Sequence, residues 1–243
     1  MSGTWSEIQI AGKEAHVFEP SQPRAGRAVI HLHGHGCETL LHKPVYTAEL
    51  ERLGLRTICP CGKRSWWLPQ ICNEFDAQIT PYDFVRESIV EWIGNHWQIA
   101  PPSIALTGIS MGGQGALQLS YRDARRFPIV AAIAPAIDFQ NWIGSGVPLD
   151  EMFESKESAR QQTVTLHLHP LNWPRHQLLV CDPQDADWIE SSERLASKLY
   201  STGIPFASDF ETSHGGHSWD YFDKMAPRVM QFVADAFDKE SLV

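Results

Sequence analysis

A short glycine-rich segment around Ser110 combines a nucleophile with a backbone that can expose it. A predicted strand at residues 103–107 gives way to a predicted helix, and the junction reads Gly108-Ile109-Ser110-Met111-Gly112-Gly113. Glycines two residues to either side of a serine at such a turn avoid a collision between Cβ atoms and the neighbouring strand and helix. A plain glycine-rich turn can carry the same residues, but the position between strand and helix favours a nucleophile elbow. We therefore predict Ser110 as a catalytic nucleophile.

A serine hydroxyl is a weak nucleophile until a base takes its proton, so a histidine and an orienting acid are expected later in the chain. A predicted strand at residues 206–210 is followed by the segment Ser213-His214-Gly215-Gly216-His217-Ser218-Trp219. We predict His217 as the base, because it follows two glycines and closely precedes the last predicted helix. We expect His214 to be a bystander.

Three aspartates are candidates for the orienting acid. They lie in the segment Asp182-Pro183-Gln184-Asp185-Ala186-Asp187-Trp188, which follows a predicted strand at residues 177–181. Asp182 stands before a proline and is predicted to form a turn, and Asp187 is placed to cap the helix that begins near Trp188. Asp185 is therefore our prediction for the acid, although each of the three also fits a solvated loop position.

The oxyanion of an acyl-transfer intermediate needs backbone N–H donors. The amide of Met111, at the start of the predicted helix, is one candidate. The other comes from the segment His33-Gly34-His35-Gly36, which directly follows a predicted strand at residues 28–32. Its candidate donors are the amides of His35 and Gly36, so that the backbone rather than the imidazole of His35 would matter.

The same segment admits a metal-dependent hydrolase as an alternative. His31, His33 and His35 alternate along the chain, and alternate residues of a strand share a face, as metal-binding histidines can do. No carboxylate lies within the motif, and Gly34 and Gly36 indicate close approach of the backbone instead. We therefore predict no metal and no cofactor here and keep the metal-dependent hydrolase as the minor alternative.

Other histidines and the cysteines are predicted to be structural. His167 and His169 lie in an apolar, strand-like stretch and are expected to be packed. Five cysteines are an odd number at irregular spacing, which favours free thiols over a disulfide framework. Cys59 and Cys61 form only a C-x-C pair, whereas a zinc site normally has more ligands at motif spacing.

Two long stretches, residues 62–78 and 138–174, do not fit a regular alternation of strands and helices. Long connections in a compact domain are often functional, so we expect both to be loops that shape a pocket. Candidate substrate-binding residues in them are Arg64, Trp66, Trp67 and Trp142. Aromatic walls suit an aryl or sugar ester, and Arg64 could hold an acidic group. For any single tryptophan, packing of the loop onto the sheet is an equally good explanation.

Elsewhere, apolar runs of strand length alternate with stretches of helical period. This pattern is typical of an α/β fold with a mainly parallel sheet and helices on both faces. The predicted strands are residues 7–10, 15–18, 28–32, 56–60, 103–107, 129–133, 177–181 and 206–210. The predicted helices are residues 44–53, 80–97 with a Thr80 cap, a helix from 111, and residues 150–163, 188–200 and 219–237. A chain of 243 residues fits a single domain over residues 1–243.

The composition excludes several classes of protein. Hydrophobic residues make up 43% and charged residues 20%, as in a globular protein. The net charge of −9 leaves no basic stripe for nucleic acid or an anionic membrane. No basic stretch followed by an apolar run opens the sequence, and no apolar segment is long enough for a membrane span, so we expect a cytoplasmic protein with a small-molecule partner.

Together, these motifs resemble the esterase D-like, "putative esterase" branch of the α/β-hydrolases. The resemblance rests on the Gly108–Gly115 segment, the Asp-Pro-x-Asp loop and Gly215-Gly216-His217-Ser218-Trp219, and it extends from about residue 28 to 237. It implies an α/β-hydrolase fold and a triad of Ser110, Asp185 and His217. The His-Gly-His-Gly loop departs from the pattern of that branch, so His35 is supported less directly than Met111.

The family implied by this resemblance includes thioester, feruloyl, acetyl and siderophore esterases. It therefore implies hydrolysis of a carboxylic ester through an acyl-enzyme without specifying the ester. A binding protein with the same fold and no catalysis is the other alternative, and such proteins often lack part of the triad, whereas this chain retains every part.

Overall fold

Residues 3–242 are described by the computed structural model, and eight strands within them form one sheet. The strands are β1 Thr4–Ile10, β2 Lys13–Glu19, β3 Ala28–Leu32, β4 Arg56–Pro60, β5 Ile104–Ile109, β6 Ile129–Ile133, β7 His176–Val180 and β8 Ala207–Asp209. Their order across the sheet is β1-β2-β4-β3-β5-β6-β7-β8. The pairs β1–β2 and β2–β4 are antiparallel, and all other neighbours are parallel. The mainly parallel sheet predicted from the sequence is confirmed.

Helices alternate with the parallel strands. They are α1 Pro44–Leu53, α2 Pro81–Asp83, α3 Val90–Trp97, α4 Met111–Arg122, α5 Leu149–Met152, α6 Lys156–Arg160, α7 Ile189–Ser201 and α8 Trp219–Glu240. A π-helical stretch, Phe84–Ile89, joins α2 to α3, so the whole predicted 80–97 segment is helical after Thr80. Short 3₁₀ turns cover Phe139–Trp142 and Val164–Leu166.

The central strands explain why helices must cover both faces of the sheet. Every residue of β3, β5 and β6 is buried. A strand buried on both faces carries apolar side chains along its whole length, and β6, with the sequence Ile-Val-Ala-Ala-Ile, meets this condition. Because β3 to β8 run parallel, their carboxyl ends meet at one edge of the sheet. The loops after β3, β5, β7 and β8 carry the predicted triad and the candidate oxyanion donors to that edge.

The start of the 81–97 helix follows the capping chemistry predicted for it. The hydroxyl of Thr80 accepts the amide hydrogen of Asp83 at 3.0 Å, and Pro81 occupies the first helical position. An accepting side chain satisfies one of the free amides at a helix start, and a proline there loses no hydrogen bond.

The predicted helix at 150–163 is wrong as a single element. Two short helices, α5 and α6, replace it, because Phe153 turns to an extended conformation and Ser155 starts a new helix. The hydroxyl of Ser155 accepts the amide hydrogen of Ser158, which gives α6 its own cap.

The expected packing of His167 and His169 in a strand-like stretch is wrong in part, because His169 is exposed and His167 follows a 3₁₀ turn.

All five cysteines are free thiols, as predicted. Cys59, Cys72 and Cys181 are buried, Cys61 is half-buried and Cys37 is exposed. Among residues 3–242, no helix combines the length and the apolar character that a membrane crossing needs.

Candidate active site

Ser110 forms the sharp turn between β5 and α4. Its backbone dihedral angles are φ +56° and ψ −119°, a combination that a residue with a Cβ adopts only under strain. The Ser110 amide donates to the carbonyl oxygen of Ile133 at 2.8 Å, and the Ser110 carbonyl accepts the amide hydrogen of Ala136 at 3.0 Å. These two bonds to the neighbouring segment hold the strained turn in place.

Close backbone approach explains the two glycines that flank this turn. A Cβ added to Gly108 would overlap the carbonyl group of Gly112, and a Cβ added to Gly112 would overlap the carbonyl oxygen of Leu32. In both cases the obstacle is backbone, which cannot rotate away. The expected steric need for glycine on both sides of Ser110 is therefore confirmed.

His217 lies between Ser110 and Asp185. Nε2 of His217 is 3.0 Å from Oγ of Ser110, and Nδ1 is 2.6 Å from Oδ2 of Asp185. Because a carboxylate only accepts hydrogen bonds, Nδ1 carries the proton and Nε2 presents its lone pair to the serine hydroxyl. Three loops, after β5, β7 and β8, thus bring together three side chains that are far apart in the sequence.

The carboxylate of Asp185 is buried and held by backbone amides. Its Oδ1 accepts the amide hydrogens of Asp187 and Trp188, each at 3.2 Å, which leaves Oδ2 for His217. The thiol of Cys181 contacts the same Oδ2 at 3.7 Å. Only 1% of Asp185 is exposed, so its orientation is fixed by the protein rather than by solvent.

Asp182 has a larger part in the site than the turn former predicted for it. It is fully buried and accepts hydrogen bonds from the amides of His214 at 2.6 Å and Gly216 at 2.9 Å, and from the hydroxyl of Ser213 at 2.9 Å. Burial alone would raise the pKa of the Asp182 carboxyl, but these hydrogen bonds outweigh it and lower the pKa. Asp182 therefore fixes the loop that carries His217.

Asp187 does not cap α7, contrary to the prediction. Trp188 occupies the N-cap position without any side-chain cap, and its amide is bound by Asp185 instead. Asp187 is exposed and lines the cavity in front of Ser110. The side chain of Asp185, which accepts the amide hydrogens of Asp187 and Trp188, therefore fixes the turn before α7, a role predicted from the sequence for Asp187.

The candidate oxyanion donors lie on both sides of Ser110. Met111 is the first residue of α4, where helix geometry leaves the amide without an intrahelical acceptor. Within residues 3–242, the amides of His35 and Gly36 donate to no protein acceptor, and both residues line the same cavity as Ser110. The amides of His35 and Gly36 are therefore free within the cavity, whereas Met111 is fully buried and is not among the residues that line it.

His33 braces this loop from inside. Its Nδ1 donates to the carbonyl oxygen of Gly34 at 2.8 Å, and its Nε2 accepts the amide hydrogen of Gly62 at 2.9 Å. Burial lowers the pKa of His33 to about 4, so the imidazole is neutral near pH 7. The amide of Cys37 also donates to Gly34, at 3.0 Å, and the turn is fixed by both contacts.

The metal alternative for His31, His33 and His35 is not favoured by this geometry. Both ring nitrogens of His33 are occupied by backbone groups, and Nδ1 of His31 lies 2.9 Å from Oγ1 of Thr107. Burial, with a smaller contribution from His33, lowers the pKa of His31 to about 3. Within residues 3–242, the structure instead brings three potential ligands together at Glu14, His16 and Cys61.

A cavity of about 280 Å³ opens in front of Ser110. Its walls come from the loops after β3, β5, β6, β7 and β8. The lining residues are Gly34, His35, Gly36, Glu38, Ile109, Ser110, Trp142, Asp187, Trp188, His217, Ser218, Trp219 and Phe222. The predicted base, the predicted nucleophile and the candidate donors of the oxyanion loop thus share one cavity with Trp142.

The sequence matches the model of the family described as "Putative esterase" over residues 73–229, which is more than half of the chain and includes Ser110, Asp185 and His217. The chain belongs to this esterase family. A sequence search of the curated proteins returns no match.

Solved structures with the same fold cover nearly the whole esterase. FphF, a fluorophosphonate-binding serine hydrolase of Staphylococcus aureus, has a TM-score of 0.77 at 14% identity, with 96% of this chain and 99% of that chain covered. An S-formylglutathione hydrolase from Agrobacterium tumefaciens has a TM-score of 0.76 at 18% identity, covering 96% and 94%. A ferulic acid esterase has a TM-score of 0.78 at 14% identity, covering 97% and 99%. These likenesses establish the α/β-hydrolase fold.

Arg64 of the esterase lies outside the cavity that contains Ser110. Its guanidinium makes a two-pronged ion pair with Glu74, with Nε 3.0 Å and Nη2 2.5 Å from Oε2, and both residues line a different cleft. The structure therefore does not bring Arg64 to the predicted substrate site, because its charge is already paired within the 62–78 loop.

Trp66 and Trp67 of the esterase are core residues rather than cavity walls. Both are at most 1% exposed, and Nε1 of Trp67 donates to the carbonyl oxygen of His33 at 3.1 Å. The ring of Trp67 fills the space beside Gly62 and Gly115, where any Cβ would collide with it. Their position favours the packing explanation over substrate binding.

Sequence reasoning missed the aromatic neighbours of Trp142. The rings of Trp142 and Trp188 are stacked, with centroids 5.9 Å apart, and Trp219 lines the same cavity. Trp188 and Trp219 are the last residues of the two segments that carry the candidate acid and base, so the sequence did contain a signal for their position.

Proposed function

We propose that this esterase is a serine carboxylic-ester hydrolase that acts through an acyl-enzyme on Ser110. The Ser110 oxygen attacks the ester carbonyl carbon while its proton passes to Nε2 of His217. The bond to the alcohol then breaks, and the imidazolium returns the proton to the leaving alcohol. Water, deprotonated by the same imidazole, attacks the acyl group and releases the carboxylic acid and free Ser110.

The observation that carries this proposal is the hydrogen-bonded series of Ser110, His217 and Asp185, at 3.0 and 2.6 Å. In the proposed mechanism, Asp185 holds the Nδ1–H tautomer of His217 and stabilises the imidazolium that forms during attack. The strained turn at Ser110 supports the assignment as well, because strain of this kind persists where the surrounding structure fixes a functional group.

In the proposed mechanism, the amides of Met111 and His35, with Gly36, bind the oxyanion. Fixed donors in a partly dry cavity stabilise the charge that develops on the carbonyl oxygen, and they need no reorganisation during the reaction. The internal bonds of His33 support this role, since they engage the carbonyl oxygen of Gly34 and fix the loop that carries these amides.

We also infer that the whole chain acts as one domain. The eight strands form a single sheet, and the cavity is lined by the end of β5, by the start of α8 and by loops at the carboxyl edge of that sheet. Of the two long loops, residues 138–174 contribute Trp142 to the cavity lining. Residues 62–78 contribute no lining residue, but the ring of Trp66 in this loop packs against the ring of Trp142.

Labelling with a fluorophosphonate probe tests the nucleophile. We expect one probe per chain, with the modified peptide containing Ser110, and hydrolysis of a short-chain aryl ester by the same protein. Ser110→Ala should abolish both, whereas Ser197→Ala, an exposed serine of α7, should abolish neither. Labelling or normal turnover in Ser110→Ala would contradict the proposal.

The same assay separates the two alternatives. A binding protein without catalysis would give neither labelling nor turnover in the wild-type chain. A metal-dependent hydrolase would lose its turnover to a chelator, whereas the serine mechanism is insensitive to one.

A further inference from the structure

The cavity in front of Ser110 has aromatic walls. Trp142, Trp188, Trp219 and Phe222 line it together with Ile109. Trp142 stacks on Trp188, with ring planes 29° apart, and Trp219 packs edge-on against Phe222 at 5.5 Å. Indole rings carry negative potential on their faces, so walls of this kind attract cations as well as apolar groups.

The charged groups of the lining are acidic. Glu38 and Asp187 carry the carboxylates of the cavity, and its lining contains neither lysine nor arginine. The charge of Glu38 is neutralised by Lys43, whose Nζ lies 2.6 Å from Oε2. Asp187, in contrast, forms no ion pair with a side chain of residues 3–242. Arg194, a nearby arginine of α7, is paired with Asp138 and Glu190 instead. One uncompensated negative charge therefore stands at the cavity.

The protein itself already places one ammonium group on an indole of this cavity. Nζ of Lys43 lies 3.5 Å from the ring centroid of Trp219. Trp142 and Trp188, which line the cavity together with Asp187, have no such cation among residues 3–242. The unpaired carboxylate lies in one cavity with Ser110 and with the stacked rings of Trp142 and Trp188, of which Trp188 is 3% exposed.

His35 does not offset this negative charge. Its ring packs between Trp66 and Trp142, at centroid distances of 5.9 and 5.5 Å. Burial, and to a lesser degree the charge of Arg64, lowers the pKa of His35 below the usual histidine value. The imidazole is accordingly neutral near pH 7, and an anionic substrate finds no positive side chain in the lining to pair with.

We propose that the preferred substrate of this esterase carries a positively charged ammonium group, which binds against Trp142 and Trp188 with Asp187 as its counter-charge. This inference rests on the proposed serine-esterase function. It replaces the acidic substrate group that the sequence suggested through Arg64, since Arg64 is paired with Glu74 outside the cavity.

An isosteric pair of esters tests the charge alone. Acetylcholine and 3,3-dimethylbutyl acetate have the same shape and acyl group and differ by the replacement of the ammonium nitrogen with carbon. We expect kcat/KM for acetylcholine to exceed that for the neutral ester by about tenfold, the size of a desolvated cation–π contact joined to a counter-charge. A ratio at or below one in the wild-type protein would overturn the proposal.

Two variants locate the effect. Asp187→Asn should bring the ratio close to one, because it removes the counter-charge and keeps the size of the side chain. Glu190→Gln is the matched control: it removes one negative charge three residues later, on a side chain that is 85% exposed, paired with Arg194 and outside the cavity. It should keep the wild-type ratio. A ratio retained in Asp187→Asn, or lost equally in Glu190→Gln, would contradict the assignment to Asp187.

A binding measurement separates this inference from the mechanism. In Ser110→Ala, choline and 3,3-dimethylbutanol can be titrated by tryptophan fluorescence without any turnover. We expect choline to bind about tenfold more tightly, and Asp187→Asn in the same background to remove that difference. Equal or weaker binding of choline overturns the ammonium site whatever the enzyme hydrolyses. If choline bound more tightly but the wild-type chain hydrolysed no ester, the ammonium site would be supported and the serine-esterase function rejected.

Discussion

Asp182 holds the residue directly before His217, because its carboxylate accepts the amide hydrogen of Gly216 at 2.9 Å. Asp185, three residues later, binds the imidazole of His217 itself at 2.6 Å. One buried carboxylate thus fixes the backbone of the histidine loop, and the other fixes its side chain. The two roles lead to different expectations for the same chemical change.

Asp185→Asn should lose most of its turnover with little change in melting temperature. The amide keeps the bonds to the backbone N–H groups of Asp187 and Trp188, but it favours the wrong tautomer of His217. In a serine protease the equivalent change costs on the order of ten-thousand-fold in turnover. Measurement of kcat on a short-chain aryl ester, with thermal unfolding in parallel, checks this. A kcat near that of the wild type would exclude Asp185 as the orienting acid.

Asp182→Asn should instead reduce stability and turnover together. Its carboxylate accepts four hydrogen bonds, two at each oxygen and three of them from backbone amides, so an amide NH₂ in either position would face two of these donors. Loss of a buried charge-assisted bond costs about 1.5–3 kcal/mol. We therefore expect a lower melting temperature and a kcat loss far smaller than that of Asp185→Asn. An unchanged melting temperature would show that Asp182 is only a turn former, as its place before Pro183 suggests.

Ser110→Gly should be more stable than Ser110→Ala, although both are inactive. The turn needs φ near +56°, which glycine adopts without cost and alanine does not. Strain of this kind is worth about 1–3 kcal/mol, and the greater freedom of glycine in the unfolded chain returns up to about 1 kcal/mol. Chemical denaturation of the two variants measures the difference, and alanine proving the more stable would contradict the strain at this turn.

The sheet and the nucleophile turn are predictable because their signals are local. The apolar runs of β3, β5 and β6 and the glycines around Ser110 reflect burial and backbone clashes within a few residues of chain. Whether Asp182, Asp185 or Asp187 reaches the histidine depends instead on how two loops meet. Residue types favoured Asp185, but they gave no sign that Asp182 would bind the loop of His217.

The tryptophans show the same limit for the cavity. Trp66 and Trp67 lie in a loop next to the site, and nothing in their spacing separates a wall from a core position. The burial of Trp67 follows from the space beside Gly62 and Gly115, which only the folded chain defines. Trp188 was predicted only to stand at a helix start. It lines the cavity, and this position too depends on how distant loops meet in the folded chain.

Trp67→Ala and Trp142→Ala should therefore differ in kind. Removing the fully buried ring of Trp67 leaves a void and a broken bond to His33, which costs about 3–5 kcal/mol of stability. Trp142 lines the cavity, so its loss should change preference among esters more than stability. Thermal unfolding and kcat/KM for a small and a bulky ester distinguish them. If Trp67→Ala were stably folded and its preference among esters changed, Trp67 would contact the substrate, contrary to this assignment.

The lowered pKa values of the buried histidines His31 and His33 make the free energy of unfolding depend on pH. His31 and His33 have pKa values of about 3 and about 4 in the folded protein, against 6.5 for an exposed histidine. Well above pH 6.5 both are neutral whether the chain is folded or not, so they make no pH-dependent contribution there. Below pH 6.5 the unfolded chain binds protons that the folded protein excludes, and protonation therefore favours unfolding.

The free energy of unfolding should accordingly fall as the pH drops from about 6.5 toward 4. Each histidine contributes at most about 1.4 kcal/mol per pH unit, and protonation of His33 would also break the bond that its Nε2 accepts from Gly62. Carboxylates with lowered pKa values, such as Asp182, lose their contribution only at lower pH, so urea denaturation at pH 7, 6 and 5 isolates the histidines. His33→Gln should reduce the slope by the contribution of one histidine, and His169→Gln, at an exposed site, should leave it unchanged. A free energy of unfolding that is constant from pH 7 to 5 would mean that both imidazoles can be protonated inside the folded protein.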